Sequence, residues 1–293
     1  MDSASHSPAR GIFWMVVTGL MFVAVTALVK YTGGRVPAAQ AAFLRYVLGL
    51  VFLIPMIPTI RAVILSRQQW ILFSWRGVVH TLAVICWFYA MTRIPIAEVT
   101  AMNYMAPIYV TIGAALFLGE RLAFRRIMAI GIAMVGALII LRPGFREVDL
   151  GHLAMLFTAL MFGVGYLITK LLSGQVSATV IVFMLSVTVT IGLAPFAIAV
   201  WVPVSWYDLG ILFLVACFAT AGHYSMTLAF AAAPVTVTQP VTFLQLLWAT
   251  ILGAVVFAEP VDIWVIAGGL LILGSVLFIT WREAVLKKGT LAK

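Results

Sequence analysis

The sequence reads TGLMFVAVTALVK at residues 18–30 and TALMFGVGYLITK at residues 158–170. At a constant offset of 140, Thr18, Leu20, Met21, Phe22 and Lys30 meet Thr158, Leu160, Met161, Phe162 and Lys170. The same register continues through Gly34/Gly174, Val36/Val176, Ala38/Ala178, Phe43/Phe183 and Pro55/Pro195. Apolar helices resemble one another by chance, but chance does not hold one register from Thr18 to Pro55. Farther along, RIPIAEVT (93–100) pairs with AAPVTVTQ (232–239) at offset 139 through Pro95/Pro234, and Glu120 pairs with Glu259. At offset 138, Gly131 and Gly136 match Gly269 and Gly274. The whole chain reads as a duplication.

What is duplicated is membrane-spanning. Of 293 residues, 64% are hydrophobic and 9% charged, more apolar side chain than a water-exposed surface carries. A net charge of +9 would suggest a nucleic-acid partner in a soluble domain, but here the bases fall mostly between apolar runs, as a topology signal does. No nucleic-acid partner is expected. Hydropathy predicts ten spans, at 11–30, 38–59, 70–92, 96–118, 125–142, 151–171, 177–201, 207–231, 235–258 and 262–281, each near the ~20 residues that cross the hydrocarbon core as a helix. The runs are continuous, without the alternation of lipid-facing strands, which excludes a barrel.

Each copy then holds five spans, an odd number, so the second enters the membrane from the opposite side. The expected fold is an all-α membrane protein with ten transmembrane helices arranged as two inverted five-helix repeats. The expected domains are a tail at 1–10, a first repeat at 11–142, a second at 151–282 and a tail at 283–293. Two inverted repeats can exchange conformations and so open either membrane face at nearly equal energy, which is the geometry of alternating access.

Lys and Arg set the orientation. With the N-terminus inside, the cytoplasmic set is Arg10, Arg61, Arg67, Arg76, Arg121, Arg125, Arg126, Lys170, Arg282, Lys287, Lys288 and Lys293. The outer set is Lys30, Arg35, Arg93, Arg142 and Arg146, with Arg45 left inside the second span. Twelve against five places both termini in the cytoplasm. GIFWMVVTGLMFVAVTALV is longer than a signal-peptide core and reads as a retained first helix. Cys86 and Cys217 fall inside spans and read as small buried thiols.

Ten spans in a 5+5 repeat, the LGER close of span four, the P-x-x-E run at Pro95–Glu98 and the spaced glycines of spans five and ten together resemble the drug/metabolite transporter superfamily, EamA type. The resemblance runs from residue 11 to 282 and implies a transporter of the bacterial cytoplasmic (inner) membrane. Glu98 to Tyr104, EVTAMNY, is similar to the cavity-lining fourth helix of the YddG kind of bacterial aromatic amino acid exporters. Met105-Ala106 stand where those exporters carry a Trp, which implies a broader amino acid range.

Polar side chains in lipid need partners and face the bundle interior or a cavity. Single Ser and Thr residues, as in the stripes Trp14/Thr18/Met21, Thr179/Phe183/Ser186/Thr190 and Thr238/Thr242/Gln245, read first as helix-packing groups. The larger groups carry more information: His80, Trp87 and Tyr89 in span three, Asn103 and Tyr104 in span four, Tyr166 in span six, His223 and Tyr224 in span eight, and Gln245 and Trp248 in span nine. They are the expected substrate-binding residues, because spans three, four, eight and nine occupy matching places in the two repeats. Amides and hydroxyls suit a small zwitterion, and aromatic faces suit an apolar side chain or a cation. Pro107 and Pro240 each remove a helix donor near these groups and permit a kink.

All nine acidic residues fall in loops, tails or near span ends, so no mid-membrane carboxylate presents itself as an ion relay. Metalloprotease, hydrolase-elbow, paired intramembrane aspartate and phosphate-loop patterns are absent, which excludes those enzymes. No catalytic residue, metal or cofactor is expected. The expected activity is export of amino acids, broadly neutral and aromatic, by a chain sufficient as a monomer. The alternative is a drug or another metabolite, such as a nucleoside-like or S-adenosylmethionine-like substrate.

Overall fold

The computed structural model describes residues 8–61, 63–117, 124–145, 147–173, 175–233 and 238–291. Glu120 and Arg121 of the LGER stretch, Arg146, Gly174 and Pro234 lie outside them. Every predicted span is helical where described. The helices are α1 (Pro8–Thr32), α2 (Ala38–Gly49), α3 (Ile57–Arg61), α4 (Arg67–Arg93), α5 (Ile96–Asn103), α6 (Ala106–Phe117), α7 (Phe124–Leu141), α8 (Leu150–Ser173), α9 (Ala178–Ala199), α10 (Trp206–Ala232), α11 (Phe243–Phe257) and α12 (Ile263–Leu291). Among the described residues seven helices are long and apolar enough to cross a membrane, and shorter apolar helices run at Ile127–Leu141 and Leu244–Phe257. Helix is the dictated form: in hydrocarbon each backbone N–H and C=O must find its partner within the segment. The outer surface carries exposed Leu138, Phe196, Ile198 and Val255, as a lipid-facing surface does, with Trp70, Trp201, Trp206, Trp264 and Trp281 near helix ends.

Three spans are broken, and proline explains where. The fourth divides at Tyr104-Met105: Tyr104 and Met105 bond three residues back, to Ala101 and Met102, before α6 begins. Pro107 has no N–H to continue the ladder to Asn103. In the ninth span, residues Gln239–Thr242 form a 3-10 turn around Pro240 ahead of α11. Both kinks stand where the sequence permits them. The second span, expected as one helix, instead passes through a 3-10 stretch at Leu50–Met56, containing Pro55, and then α3. Its repeat counterpart Pro195 lies within the uninterrupted α9. Residues 57–59 add Pro58, with no counterpart in AIA of 197–199, so the second span loses two donors within one turn.

Serine starts three helices. Ser66 and Gln69 form a reciprocal capping box on α4, Ser177 Oγ accepts from the Val180 N–H, and Ser205 Oγ accepts from the Asp208 N–H. The bundle is built from close pairs: α1 on α10, α4 on α8, and α7 on α12, with α2 lying between α9 and α10. In the first pair Thr18 Oγ1 and Ser225 Oγ meet at 2.9 Å, both buried. In the second, the Thr158 hydroxyl donates to the Ala83 carbonyl at 3.1 Å. In the third, Gly136 and Gly268 lie backbone against backbone; a Cβ on Gly136 would sit 2.7 Å from the Gly268 carbonyl oxygen. Gly131 and Gly274, of the same spaced glycines, have open space there instead.

The loops joining α1 to α2, α4 to α5, α7 to α8, α9 to α10 and α11 to α12 gather at one end of the bundle, opposite the chain termini. Polar contacts lace this distal end. The Lys30 ammonium lies 2.6 Å from Glu259 Oε1 and donates to the Ile94 carbonyl at 2.9 Å. Glu259 Oε2 accepts from the Ile96 N–H at 2.9 Å. Arg142 pairs with Asp262, and Arg35 with Asp208 at 2.9 Å. The Gln40 amide exchanges two hydrogen bonds with the Val202 backbone.

Candidate functional site

Midway along α4, His80 Nε2 stands 3.1 Å from the Tyr46 hydroxyl of α2, and its ring is 5.0 Å from Phe162 of α8. Trp87, seven residues on and so on the same face of α4, sets its edge to Phe162 at 6.1 Å. Tyr166, one turn along α8, stacks on Phe162 at 6.3 Å. Three of the expected residues therefore meet around a fourth ring that sequence reasoning did not single out. Tyr166 is half-exposed, yet its ring stacks on Phe162 within the α4–α8 pair, and the exposed His223 sets its ring against Phe22 within the α1–α10 pair. A side chain that is both accessible and deep lines an internal hollow.

Two arginines belong to this hollow. Arg45 lays its guanidinium 4.2 Å over the ring of Tyr46, the residue that touches His80. Arg76 lies one turn before His80 on the same face of α4 and donates from Nη1 to the Ile181 carbonyl at 2.8 Å. Both are more than nine-tenths buried. Arg76 was counted from sequence among the loop cations; instead it stands inside α4, about 13 Å along the axis from Arg67. Arg45, which the sequence leaves inside the second span, is buried beside Tyr46.

The remaining expected residues divide. Asn103 and Tyr104 sit at the break in the fourth span. The Tyr104 hydroxyl donates to the Thr242 carbonyl at 2.8 Å, so the two broken helices join at their breaks. Asn103 Oδ1 is buried and accepts no hydrogen bond within the described structure. Gln245 and Trp248 of α11, both half-buried, pack where α1 comes close at Gly19. His223 sets its ring against Phe22 of α1 at 5.2 Å. Tyr89 lies away from the Phe162 cluster, under the Arg93 guanidinium near the distal end. Tyr224 is exposed and shares the outward face of α10 with Phe213 and Leu214. The single hydroxyls divide: Thr18 bonds across to Ser225 of α10 as a packing group, whereas Ser186 and Thr190 bond back into their own helix.

One buried acid–base pair escaped the sequence reading. Glu98, placed there with the span-end acids, is 2% exposed, and its Oε2 lies 2.5 Å from His152 Nε2, itself 4% exposed. His152 opens span six, and no local spacing points from it to Glu98.

Among the described residues no group of His, Cys, Asp and Glu could hold a metal ion. The arrangement offers amide and hydroxyl groups, stacked rings and buried positive charge around a hollow, the equipment of a binding site.

Comparison with known proteins agrees with that character. The chain is 31% identical over 288 residues to a riboflavin transporter of Rhizobium johnstonii, spanning 96% of this chain and 95% of the relative. It is 28% identical over 268 residues to the pseudopaline exporter CntI of Pseudomonas aeruginosa, spanning 90% and 93%. An S-adenosylmethionine uptake transporter of Rickettsia prowazekii is 22% identical over 283 residues, spanning 97% and 96%. One crystal structure shares the fold with a TM-score of 0.59 at 19% identity, covering 92% of this chain and 96% of its own. The relatives are transporters and not enzymes. Residues 9–142 and 149–281 each match the EamA-like transporter family, and with two such matches filling the chain, it belongs to that family, within the drug/metabolite transporter superfamily.

Proposed function

We propose that this multi-pass membrane protein exports amino acids, over a broad neutral and aromatic range, by alternating access between two inverted five-helix repeats at 11–142 and 151–282. The observation that carries the mechanism is that packing partners exchange under the sequence offset. Spans one and eight pair closely as α1 on α10, and their counterparts, spans six and three, pair as α8 on α4. Spans five and ten, counterparts of each other, pair as α7 on α12. The breaks of spans four and nine, also counterparts, touch through Tyr104 and Thr242. Such exchange is expected of a two-fold axis in the membrane plane.

Amino acids are proposed from the site, because the relatives named above differ in substrate and direction. Asn103 Oδ1 is a buried acceptor in want of a donor, suited to a substrate ammonium. His80, Trp87, Tyr166 and Phe162 form a surface for an apolar or aromatic side chain. Tyr104, His223, Gln245 and Trp248 complete the assignment from α5, α10 and α11. The cationic bias of the loops supports cytoplasmic termini, and the family supports the bacterial inner membrane.

The test is initial flux into proteoliposomes of the purified chain, with labelled aromatic, aliphatic and charged amino acids and labelled riboflavin, with and without a pH gradient. Saturable flux of several amino acids is the expected result. Flux of riboflavin alone would reject the amino acid reading, and dependence on the gradient would identify proton coupling.

A further inference from the structure

The hollow is cationic and holds no acid. Arg76 lies one turn before His80 on α4, Arg45 covers the Tyr46 ring whose hydroxyl meets His80, and among the described residues neither arginine has a carboxylate partner. Of the described acids, Glu98 meets His152, Asp208 meets Arg35, Glu259 meets Lys30 and Asp262 meets Arg142, while Glu147 and Asp149 precede α8 and Glu283 lies in the last third of α12. Among the described residues Arg76 spends one donor on the Ile181 carbonyl, and Arg45 contacts the Tyr46 ring. A guanidinium carries five N–H donors, so most of this donor capacity is open. Burying a cation without a counter-charge is costly, and a bound oxyanion would relieve that cost. Arg forks match carboxylate geometry with two parallel bonds. The Phe162, Trp87 and Tyr166 rings adjoin on the His80 side, where the apolar body of such a ligand would lie.

We propose that Arg45 and Arg76 form an oxyanion subsite that holds a substrate carboxylate, so that the protein selects small organic acids and amino acids with an apolar body over cations that lack a carboxylate. This rests on the transport reading above and sharpens its substrate class. Phosphate esters share the head-group chemistry, and the experiment separates them.

The experiment uses the full chain in detergent and three probes with one body and different heads: 3-phenylpropanoate, 2-phenylethyl phosphate and 2-phenylethylammonium, with dissociation constants from calorimetry. The carboxylate should bind at least about tenfold tighter than the ammonium. Arg45→Gln and Arg76→Gln should each weaken carboxylate binding by about tenfold or more, the size of a lost hydrogen bond to a charged group. Arg45→Lys and Arg76→Lys retain charge without the fork; they should lose less, and they stand in where a glutamine variant fails to fold. Equal or tighter binding of the ammonium, no binding of any probe, or unchanged carboxylate affinity in both arginine positions would overturn the subsite. Phosphate binding tenfold tighter than carboxylate would overturn the carboxylate assignment. Amino acid flux in proteoliposomes that persists unchanged in both glutamine variants would sink the subsite and leave transport standing. Head-group-selective binding without any flux would do the reverse.

Discussion

At the scale of the residue, the break at Asn103–Tyr104 makes the sharpest demand. Asn103 contributes a buried oxygen without a donor, so Asn103→Ala removes an unsatisfied group and should leave folding intact or slightly improved. Its flux should nevertheless fall, and Tyr104→Ala should fall with it, measured as initial rate at matched protein per liposome. Normal flux in both would remove them from the site. Tyr104→Phe separates anchoring from aromatic contact: it forfeits the bond to the Thr242 carbonyl, about 1 kcal/mol, and should lower the detergent melting temperature while keeping more flux than Tyr104→Ala. These two residues were legible because a proline, a polar pair and a family-like stretch coincide there. Arg76 was not, because hydropathy counts a cation near a span end as a loop residue and cannot see that one helix face turns it inward. Tyr46 and Phe162 were invisible for a simpler reason: in a chain this rich in aromatic residues, only the facing helix distinguishes a cavity ring from a lipid-facing one.

At the scale of the element, small residues set how closely helices approach. Without a hydrophobic gain between helices in lipid, close packing itself holds α7 to α12, and Gly136 and Gly268 are where their backbones touch. Gly136→Leu should destabilise the protein by about 3 kcal/mol through overpacking, seen as a lowered melting temperature or loss of a monodisperse peak on size exclusion. Gly131→Leu and Gly274→Leu, whose Cβ positions face open space, should be near neutral. All three sites lie on the same sequence pattern, so equal effects would show that the pattern rather than the contact matters. The contrast also marks what sequence could supply. Glycine spacing announced a seam between spans five and ten, and only the crossing geometry says which glycines lie at the crossing. Proline behaves likewise: Pro55 and Pro195 are counterparts, yet α9 runs through one and the second span breaks at the other, because Pro58 adds a second lost donor on one side alone.

At the scale of the whole molecule, four polar pairs at the distal end share a property beyond position. Lys30–Glu259, Glu98–His152, Arg142–Asp262 and Arg35–Asp208 each join a residue from the first half of the chain to one from the second. Opening that end under the proposed exchange of repeats requires these bonds to part. The most exposed of them, Arg35–Asp208, is worth about 1 kcal/mol or less, while Lys30–Glu259 and Glu98–His152, with their side chains largely buried, weigh more in holding that end closed. Lys30→Met should therefore favour distal opening, and a shift of about 1 kcal/mol changes the balance about fivefold. The readout is labelling of Ala97→Cys, half-buried just beyond the Lys30–Glu259 contact, in a Cys86→Ala/Cys217→Ala background, by a polar maleimide on detergent-solubilised protein. Lys170 and Glu120 stand at the matching sequence positions of the other repeat, and Glu120 lies outside the described residues. If the repeats are inverted, the equivalent contact belongs to the opposite end, and Lys170→Met should slow labelling at position 97 where Lys30→Met speeds it. Opposed shifts would establish that two like sequences act at two faces of one membrane; parallel shifts would mean that the duplication does not operate as an exchange, whatever substrate the hollow holds.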